Sequence, residues 1–130
     1  MSVMVLVVDD EPDVEALFRQ QFRRDLRARR FVMDFAPSAS EALTRIADVG
    51  EHSLILIFSD INMPGMSGLD MLPEVRAQRP DVPVIMITAY ADDSATRKKA
   101  LERGAEDLLT KPIDFGQVRQ AIDARLEHSA

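Results

Sequence analysis

Short apolar runs recur along the chain and predict five buried strands. Each run has four to six residues, consists mainly of apolar residues, and is bounded by polar or turn-forming residues. A continuous apolar run of this length is typical of a strand that is covered on both faces. The predicted strands are Val3–Val8, Phe31–Ala36, Leu54–Ser59, Pro83–Thr88 and Asp107–Thr110.

The segments between these runs predict five helices. Ser38 with Glu41 three residues later forms a capping box, and Asp114 opens the last helix in the same way. Pro73 lies inside the third helix, where it removes a backbone hydrogen bond and conflicts with the pattern. The predicted helices are Pro12 to about Arg29, Ser38–Val49 stopped by Gly50, Gly68–Gln78, a helix capped by Asp92 or Asp93 that ends at Gly104, and Asp114 to about Glu127.

Strands and helices alternate along the whole sequence. Apolar strands separated by amphipathic helices predict a parallel α/β sheet that is covered on both faces, and right-handed crossovers make it doubly wound. Ligands of such folds bind at the carboxyl ends of the strands. The residues expected at that edge are Asp9, Asp10, Asp60, Thr88 and Lys111.

Three carboxylates at one edge need compensating positive charge. Two carboxylates about 4 Å apart repel by on the order of 4 kcal/mol at an effective dielectric of about 20, and Lys111 neutralises only one. Mg²⁺ takes one or two carboxylates together with phosphate oxygens, and a hydroxyl and an amine suit a phosphoryl group. Asp60 stands alone after its strand, so we predict that it is a nucleophile that forms an aspartyl-phosphate. The adjacent Asp9 and Asp10 are then predicted to bind the metal ion.

Composition and charge narrow the class of protein. The chain has 130 residues, a net charge of −6 and no cysteine, which suits one domain and excludes disulfides. The acidic balance argues against broad nucleic-acid binding, which needs a basic face. No apolar run approaches the ~20 residues that span a bilayer, and the first residues do not resemble a signal peptide. We expect a cytoplasmic protein.

Four motifs follow one another as VLVVDDEPD, SDINMPGMSGLD, VIMITAY and GAEDLLTKP. Together they resemble the receiver domains of two-component response regulators, the CheY-like superfamily, over nearly the whole chain. The resemblance implies one receiver domain over residues 1–130, with a five-stranded sheet in the order 2-1-3-4-5 and five helices, a flavodoxin-like three-layer sandwich. It also implies a signalling switch rather than an enzyme, one that catalyses its own phosphotransfer and slow dephosphorylation.

The same resemblance implies a role for each site residue. Asp60 is the phosphoacceptor, Lys111 contacts the phosphoryl group, and Thr88 is the switch hydroxyl. Mg²⁺, or Mn²⁺ in its place, has as ligands Asp9, Asp10, Asp60 and the backbone carbonyl of Asn62. The residues implied in access or switching are Ala89, Tyr90, Leu108 and Pro112. The small side chain of Ala89 leaves room for the phosphoryl group, and a cis peptide bond joins Lys111 to Pro112. The alternative for Tyr90 is an exposed aromatic residue of a loop.

Partners are implied in the same way. The phosphate donor is a phosphohistidine on a sensor histidine kinase or a histidine phosphotransfer protein. The readout is contact with a downstream output protein, or with an output domain if the chain is cut from a larger protein, and homodimerisation can follow phosphorylation. Neither nucleic acid nor membrane is expected as a direct partner.

Two features depart from the family pattern. Leu108 stands where the family usually has a Tyr or Phe that swings inward when the threonine moves to the phosphate, so we expect altered coupling to the outer face. The segment FRRDLRARRF, residues 22–31, has no glycine and is about one helical turn longer than the common pattern. It predicts an extended first helix or a rearranged connection.

Other interpretations stay open. A degenerate receiver that acts unphosphorylated is favoured only by Leu108. An aspartate-nucleophile phosphohydrolase needs a second acid two residues after the nucleophile, where this chain has Asn62. A flavodoxin-like nucleotide binder needs a phosphate loop after the first strand, where residues 9–13 are acidic. The arginines of residues 19–30 are a solvated helix face or, alternatively, a docking patch for an acidic partner.

Overall fold

The computed structural model describes residues 3–49, 53–89 and 94–129. Within this part of the chain five strands form one parallel sheet in the order β2-β1-β3-β4-β5. This confirms the predicted doubly wound sheet and its strand order. The strands are β1 (Val3–Val8), β2 (Val32–Ala36), β3 (Ser53–Asp60), β4 (Val84–Thr88) and β5 (Asp107–Thr110).

Six helices, rather than the predicted five, lie in the described ranges. They are α1 (Pro12–Gln21), α2 (Arg23–Arg27), α3 (Ala39–Ala47), α4 (Gly68–Gln78), α5 (Ser94–Glu102) and α6 (Phe115–Ser129). Ser38 caps α3 by accepting a hydrogen bond from the Glu41 N–H at 3.1 Å, as the sequence predicts. The predicted stop at Gly50 and the predicted caps at Asp92 or Asp93 lie outside the described residues.

The additional helix arises because the predicted helix from Pro12 to about Arg29 breaks at Phe22. The backbone angles there, φ −110° and ψ 20°, are not helical. Beyond the break Asp25 is buried and pairs with Arg30 and with Arg119 of α6. Helical periodicity does not reveal the pairing of Asp25 with Arg119, because the two residues are far apart in sequence. A single continuous first helix is therefore wrong, and the alternative of a rearranged connection is confirmed.

The sheet separates two apolar clusters. On one face Leu6 and Val8 of β1 pack with residues of α3, α4 and α5. On the other face Val5 and Val7 pack with residues of α1 and α6. Successive side chains of a strand point to opposite faces, so β1 contributes to both clusters. This arrangement confirms the predicted three-layer sandwich. No described helix is both long enough and apolar enough to cross a membrane.

A β-bulge in β3 offsets this alternation. Met4 pairs with Leu54 and Val5 pairs with Leu56, so Ile55 is an extra residue in the β1–β3 ladder. Ile55 and Leu56 consequently lie in the same apolar cluster, on the face covered by α1 and α6. A bulge of this kind leaves one backbone residue without its ladder partner.

Arg125 of α6 compensates for the bulge. Its Nε lies 3.1 Å from the Ile55 carbonyl oxygen and donates a hydrogen bond to it. After the bulge, Ile57 faces the side of the sheet that is covered by α3, α4 and α5. In a regular strand counted from Leu54, Leu56 would face that side instead, but it lies on the opposite side. Because a shift by one residue exchanges the two faces of a strand, the bulge also decides the direction of Asp60.

Arg103 compensates for the proline inside α4. Pro73 has no N–H, so the carbonyl oxygen of Leu69, four residues earlier, loses its helical donor. Nη1 of Arg103, just past the end of α5, lies 2.9 Å from that oxygen and also contacts Asp70 Oδ1 at 3.0 Å. The conflict seen in the sequence is thus resolved by a residue that follows another helix.

We predict that Pro73 and Arg103 are energetically coupled. Arg103→Met is expected to destabilise the wild type by about 1 kcal/mol more than it destabilises a Pro73→Ala background, because an alanine in place of the proline supplies the missing N–H. Urea unfolding of the four variants measures this difference. Asp70→Asn removes only the ion pair and should have the same effect in both backgrounds. Equal effects of Arg103→Met in the two backgrounds would contradict the coupling.

Candidate functional site

The carboxyl edge of the sheet brings the predicted residues together. Asp9 and Asp10 follow β1, and Asp60 is the last residue of β3. Thr88 is the last residue of β4, and Lys111 follows β5. Four neighbouring strands therefore each supply polar groups to one edge, which is where doubly wound folds bind their ligands.

Lys111 is shared among three carboxylates. Its Nζ lies 3.3 Å from Asp60 Oδ2, 3.7 Å from Asp9 Oδ2 and 3.7 Å from Glu11 Oε1. One amine among three acids leaves the site with net negative charge. Glu11 was not among the predicted site residues, and its place in the acidic stretch after β1 was the signal that could have identified it.

Asp9, Asp10 and Asp60 form an acidic cluster. Each offers one carboxylate oxygen, and these oxygens all lie within 4.8 Å of one another. Asp60 is buried with 4% of its surface exposed, Asp9 is partly buried, and Asp10 is exposed. In the described ranges no other group of acidic or histidine side chains is spaced for a metal ion. Three clustered carboxylates, of which Asp10 is exposed to solvent, suit a hard divalent cation that retains water ligands.

Burial raises the pKa of Asp60 above its ordinary value, against the opposing charge and hydrogen bond of Lys111. Burial likewise raises the pKa of Asp9, although the N–H of Glu11 donates to its Oδ1 at 2.9 Å. Burial disfavours the charged amine of Lys111, but the attraction of Asp9 and Asp60 outweighs it, so the pKa of Lys111 is raised. The two acids are therefore not fully compensated by the lysine.

The backbone positions Lys111 beside Thr88. The Lys111 N–H donates to the Thr88 carbonyl oxygen at 2.8 Å, which continues the β4–β5 ladder by one bond. The Lys111–Pro112 peptide bond is cis, as the resemblance implies. Thr88 is fully buried, and Ala89 after it is exposed. Tyr90 lies outside the described residues.

Two predicted residues flank the site without joining the acidic cluster. Asn62 is exposed, and its backbone N–H lies 3.4 Å from Asp60 Oδ1. Leu108 pairs with Met86 in the sheet and is only 7% exposed. It packs in the apolar cluster beneath α5. The altered coupling expected from Leu108 stays a prediction.

An open pocket of about 440 Å³ adjoins the acidic cluster. Its lining includes Asp9, Asp10 and Glu11 after β1 and Arg45 of α3. Nη1 of Arg45 lies 2.6 Å from Asp34 Oδ1 on β2, which holds the guanidinium at the pocket. The sequence analysis missed Arg45, because only the packing of α3 against β2 brings it to this edge.

Gly68 lets α4 begin directly against the Asp60 backbone. A Cβ at this position would lie 2.2 Å from the Asp60 carbonyl oxygen and 2.7 Å from Met86 Cε. The Gly68 N–H donates to the Ile61 carbonyl oxygen at 2.9 Å. The start of α4 and the end of β3 therefore form one tightly packed unit beneath the acidic cluster.

Known proteins resemble this chain over nearly its whole length. The family described as response regulator receiver domain matches residues 5–123. The two-component response regulator PhoP of Pseudomonas aeruginosa is 35% identical over an alignment that covers 97% of this chain and 52% of PhoP. The chain thus spans about half the length of this curated relative.

Solved structures share the fold. The response regulator receiver domain protein from Clostridium thermocellum has a TM-score of 0.83 and 25% identity, over 98% of this chain and 96% of that chain. The co-crystal structure of the Saccharomyces cerevisiae histidine phosphotransfer signaling protein Ypd1 with the receiver domain of the response regulator Ssk1 matches with a TM-score of 0.79 and 24% identity, over 93% of this chain and 86% of that chain. This second likeness concerns the fold alone.

We predict that Gly68→Ala displaces the Asp60 backbone and costs about 2–3 kcal/mol of stability, because the methyl group overlaps a carbonyl oxygen. Gly65→Ala is the matched comparison: its φ is +78° and its Cβ meets open space. Backbone strain alone should cost it about 1 kcal/mol. Urea unfolding gives both values, and an equal or larger loss in Gly65→Ala would contradict the close packing at Gly68.

We also predict that Asp60→Asn stabilises the protein at neutral pH when EDTA removes divalent cations. A carboxyl whose pKa is raised in the folded state makes that state less stable once it ionises. The stability difference should therefore be largest above the raised folded-state pKa and shrink as the pH falls through it. Thermal unfolding between pH 4 and pH 8 tests this about every half unit, and a difference that grows at low pH would have the wrong sign.

Proposed function

Because the chain belongs to the family of response regulator receiver domains, we propose that Asp60 accepts a phosphoryl group in a Mg²⁺-dependent reaction and thereby switches partner binding. The observation that carries this proposal is the hydrogen bond of 3.3 Å between Lys111 Nζ and Asp60 Oδ2, beside the carboxylates of Asp9 and Asp10. The proposed nucleophile, Asp60, is thus already in contact with Lys111, the amine proposed to bind the phosphoryl group.

In the proposed reaction a carboxylate oxygen of Asp60 attacks the phosphorus of a phosphohistidine. The new O–P bond forms as the P–N bond breaks, and the leaving imidazole takes up a proton from solvent. The Lys111 amine, which contacts the carboxylate beforehand, donates to the phosphoryl oxygens. Thr88, at the end of β4, supplies a hydroxyl to the same group.

Asp9, Asp10, Asp60 and the backbone carbonyl of Asn62 would hold Mg²⁺, with Mn²⁺ as an alternative. The bound cation supplies positive charge to the carboxylates and to the transferred phosphoryl oxygens. The clustered oxygens support this fit, and so do the pKa values of Asp9 and Asp60, which burial raises although the charge of Lys111 lowers them.

The proposed switch is electrostatic in origin. Phosphorylation replaces the single charge of the Asp60 carboxylate with a phosphoryl group that carries about −1.5 to −2 charges, so negative charge increases at an edge where Lys111 already contacts three acids. We expect the amine and the Thr88 hydroxyl to be drawn toward the phosphoryl group, which changes the ends of β4 and β5. Because Leu108 is a buried aliphatic residue, the change is proposed to reach α5 through core packing rather than through the swing of an aromatic ring.

The proposed donor is a histidine kinase or a histidine phosphotransfer protein, the class to which Ypd1 belongs in the yeast co-crystal structure. The output is proposed to lie in a separate partner or in further chain of the kind that relatives such as PhoP possess, since the match covers only 52% of PhoP. Either output needs a surface of the receiver that differs between its two states.

Phosphorylation is tested with acetyl phosphate or phosphoramidate and Mg²⁺, followed by intact mass. We expect one phosphoryl adduct on the wild type, none on Asp60→Asn, and none when EDTA replaces Mg²⁺. Asp107→Asn, an exposed aspartate at the opposite end of β5, is the matched control and should be modified like the wild type. No adduct on the wild type, or an adduct that survives Asp60→Asn, would refute the proposal.

A further inference from the structure

Four arginines around α2 form a basic surface on an acidic protein. Residues 19–30 contain six arginines, one aspartate and no lysine, whereas the whole chain has a net charge of −6. Arg23, Arg24, Arg27 and Arg29 are exposed. None of these four makes an ion pair with another described residue. We call them the arginine surface.

The nearest acid does not neutralise this surface. Asp25 is buried with 7% of its surface exposed, and both of its oxygens are already paired, Oδ1 with Arg30 and Oδ2 with Arg119. Burial disfavours its charged form, but the hydrogen bonds from Arg30 and Arg119 outweigh this and lower the pKa of Asp25. Asp25 therefore anchors α2 to α6 and leaves the outward arginines uncompensated.

Arg29 occupies a position that favours glycine. Its φ is +59°, in the left-handed region. The Arg29 N–H donates to the Leu26 carbonyl oxygen and the Arg30 N–H to the Asp25 carbonyl oxygen, which is the Schellman pattern that usually ends on glycine. An arginine here costs stability. Strain of this kind points to a role for the side chain itself.

The arginine surface lies at the opposite edge of the sheet from Asp60. The chain leaves β1 at the carboxyl edge, returns along α1, and enters β2 from the amino edge after α2. The separation is roughly the length of β1, about 20 Å. A partner on the arginine surface therefore leaves the acidic cluster accessible.

These observations favour a short acidic protein segment over a larger polyanion. A DNA duplex or an anionic bilayer extends well beyond a five-residue helix and would meet the rest of a chain that has 22 acidic residues against 16 basic ones. Arginine forks bind carboxylates in a bidentate manner, and arginine is enriched at protein interfaces. A segment rich in Glu and Asp fits both the size and the chemistry of the patch.

We propose that the arginine surface docks a carboxylate-rich segment of a partner protein and leaves the acidic cluster at the other edge of the sheet accessible. The probe is a fluorescein-labelled peptide of alternating glutamate and alanine, measured by fluorescence anisotropy at low and high salt. The wild type should bind it, and binding should weaken as salt screens the charges. Arg23→Glu/Arg24→Glu/Arg27→Glu should lower the affinity at least tenfold, because three exposed ion pairs are lost.

The matched control moves the same charge change to α5. Arg97→Glu/Lys98→Glu/Lys99→Glu alters three consecutive basic residues of that helix and changes the net charge equally. It should leave peptide affinity within about twofold of the wild type. An equal loss in both triple variants would show a net-charge effect and overturn the proposal. So would tighter binding of a 20-base-pair duplex, or of phosphatidylserine vesicles, than of the peptide. If circular dichroism shows that Arg23→Glu/Arg24→Glu/Arg27→Glu does not fold, the neutral variant Arg23→Gln/Arg24→Gln/Arg27→Gln takes its place.

Arg29→Gly separates strain from binding. The variant should raise the thermal midpoint by about 3 °C, because glycine accepts a positive φ. It should also weaken peptide binding by about twofold to threefold. Stabilisation with unchanged peptide affinity would place Arg29 outside the docking surface and count against the proposal.

Discussion

The crowding of three carboxylates against one amine is the interaction on which the site depends. Parallel pairing brings the ends of β1 and β3 side by side, and apolar packing on both faces of the sheet prevents them from separating. Lys111 offsets part of the repulsion, and the buried acids keep raised pKa values. Backbone contacts hold the repelling acids in place. Examples are the hydrogen bond between the Lys111 N–H and the Thr88 carbonyl oxygen and the close packing of Gly68 against the Asp60 backbone. The stability of the core offsets the electrostatic cost of bringing these acids together.

Most of the fold could be predicted from patterns among residues that are close together in the sequence. Apolar runs predicted the five strands to within about one residue at each end, since a strand that is covered on both faces consists mainly of apolar side chains. The capping role of Ser38 and the end of β3 at Asp60 also follow from neighbouring residues. Once the strand order was set, Asp9, Asp10, Asp60 and Lys111 had to meet at one edge, which is where they lie.

Contacts between distant segments could not be predicted in this way. The break at Phe22 accompanies the pairing of Asp25 with Arg119, and the position of Arg45 depends on the contact of α3 with β2. Arg103 and Arg125 each donate to a backbone carbonyl that a proline or a bulge has left without its partner. A sequence shows that Pro73 leaves such an oxygen unsatisfied, but not which side chain reaches it.

The bulge at Ile55 makes the length of β3 as important as its composition. Exchanges among valine, isoleucine and leucine would preserve the buried strand. Removal of the one extra residue would restore simple alternation without turning Asp60, because the residues after the bulge keep their β1 partners. An insertion, or a deletion that leaves the bulge in place, would instead point the Asp60 carboxylate to the other face of the sheet, away from Lys111. In lineages that retain this acidic site, a change in the length of β3 should therefore be rare unless it coincides with the loss of the bulge.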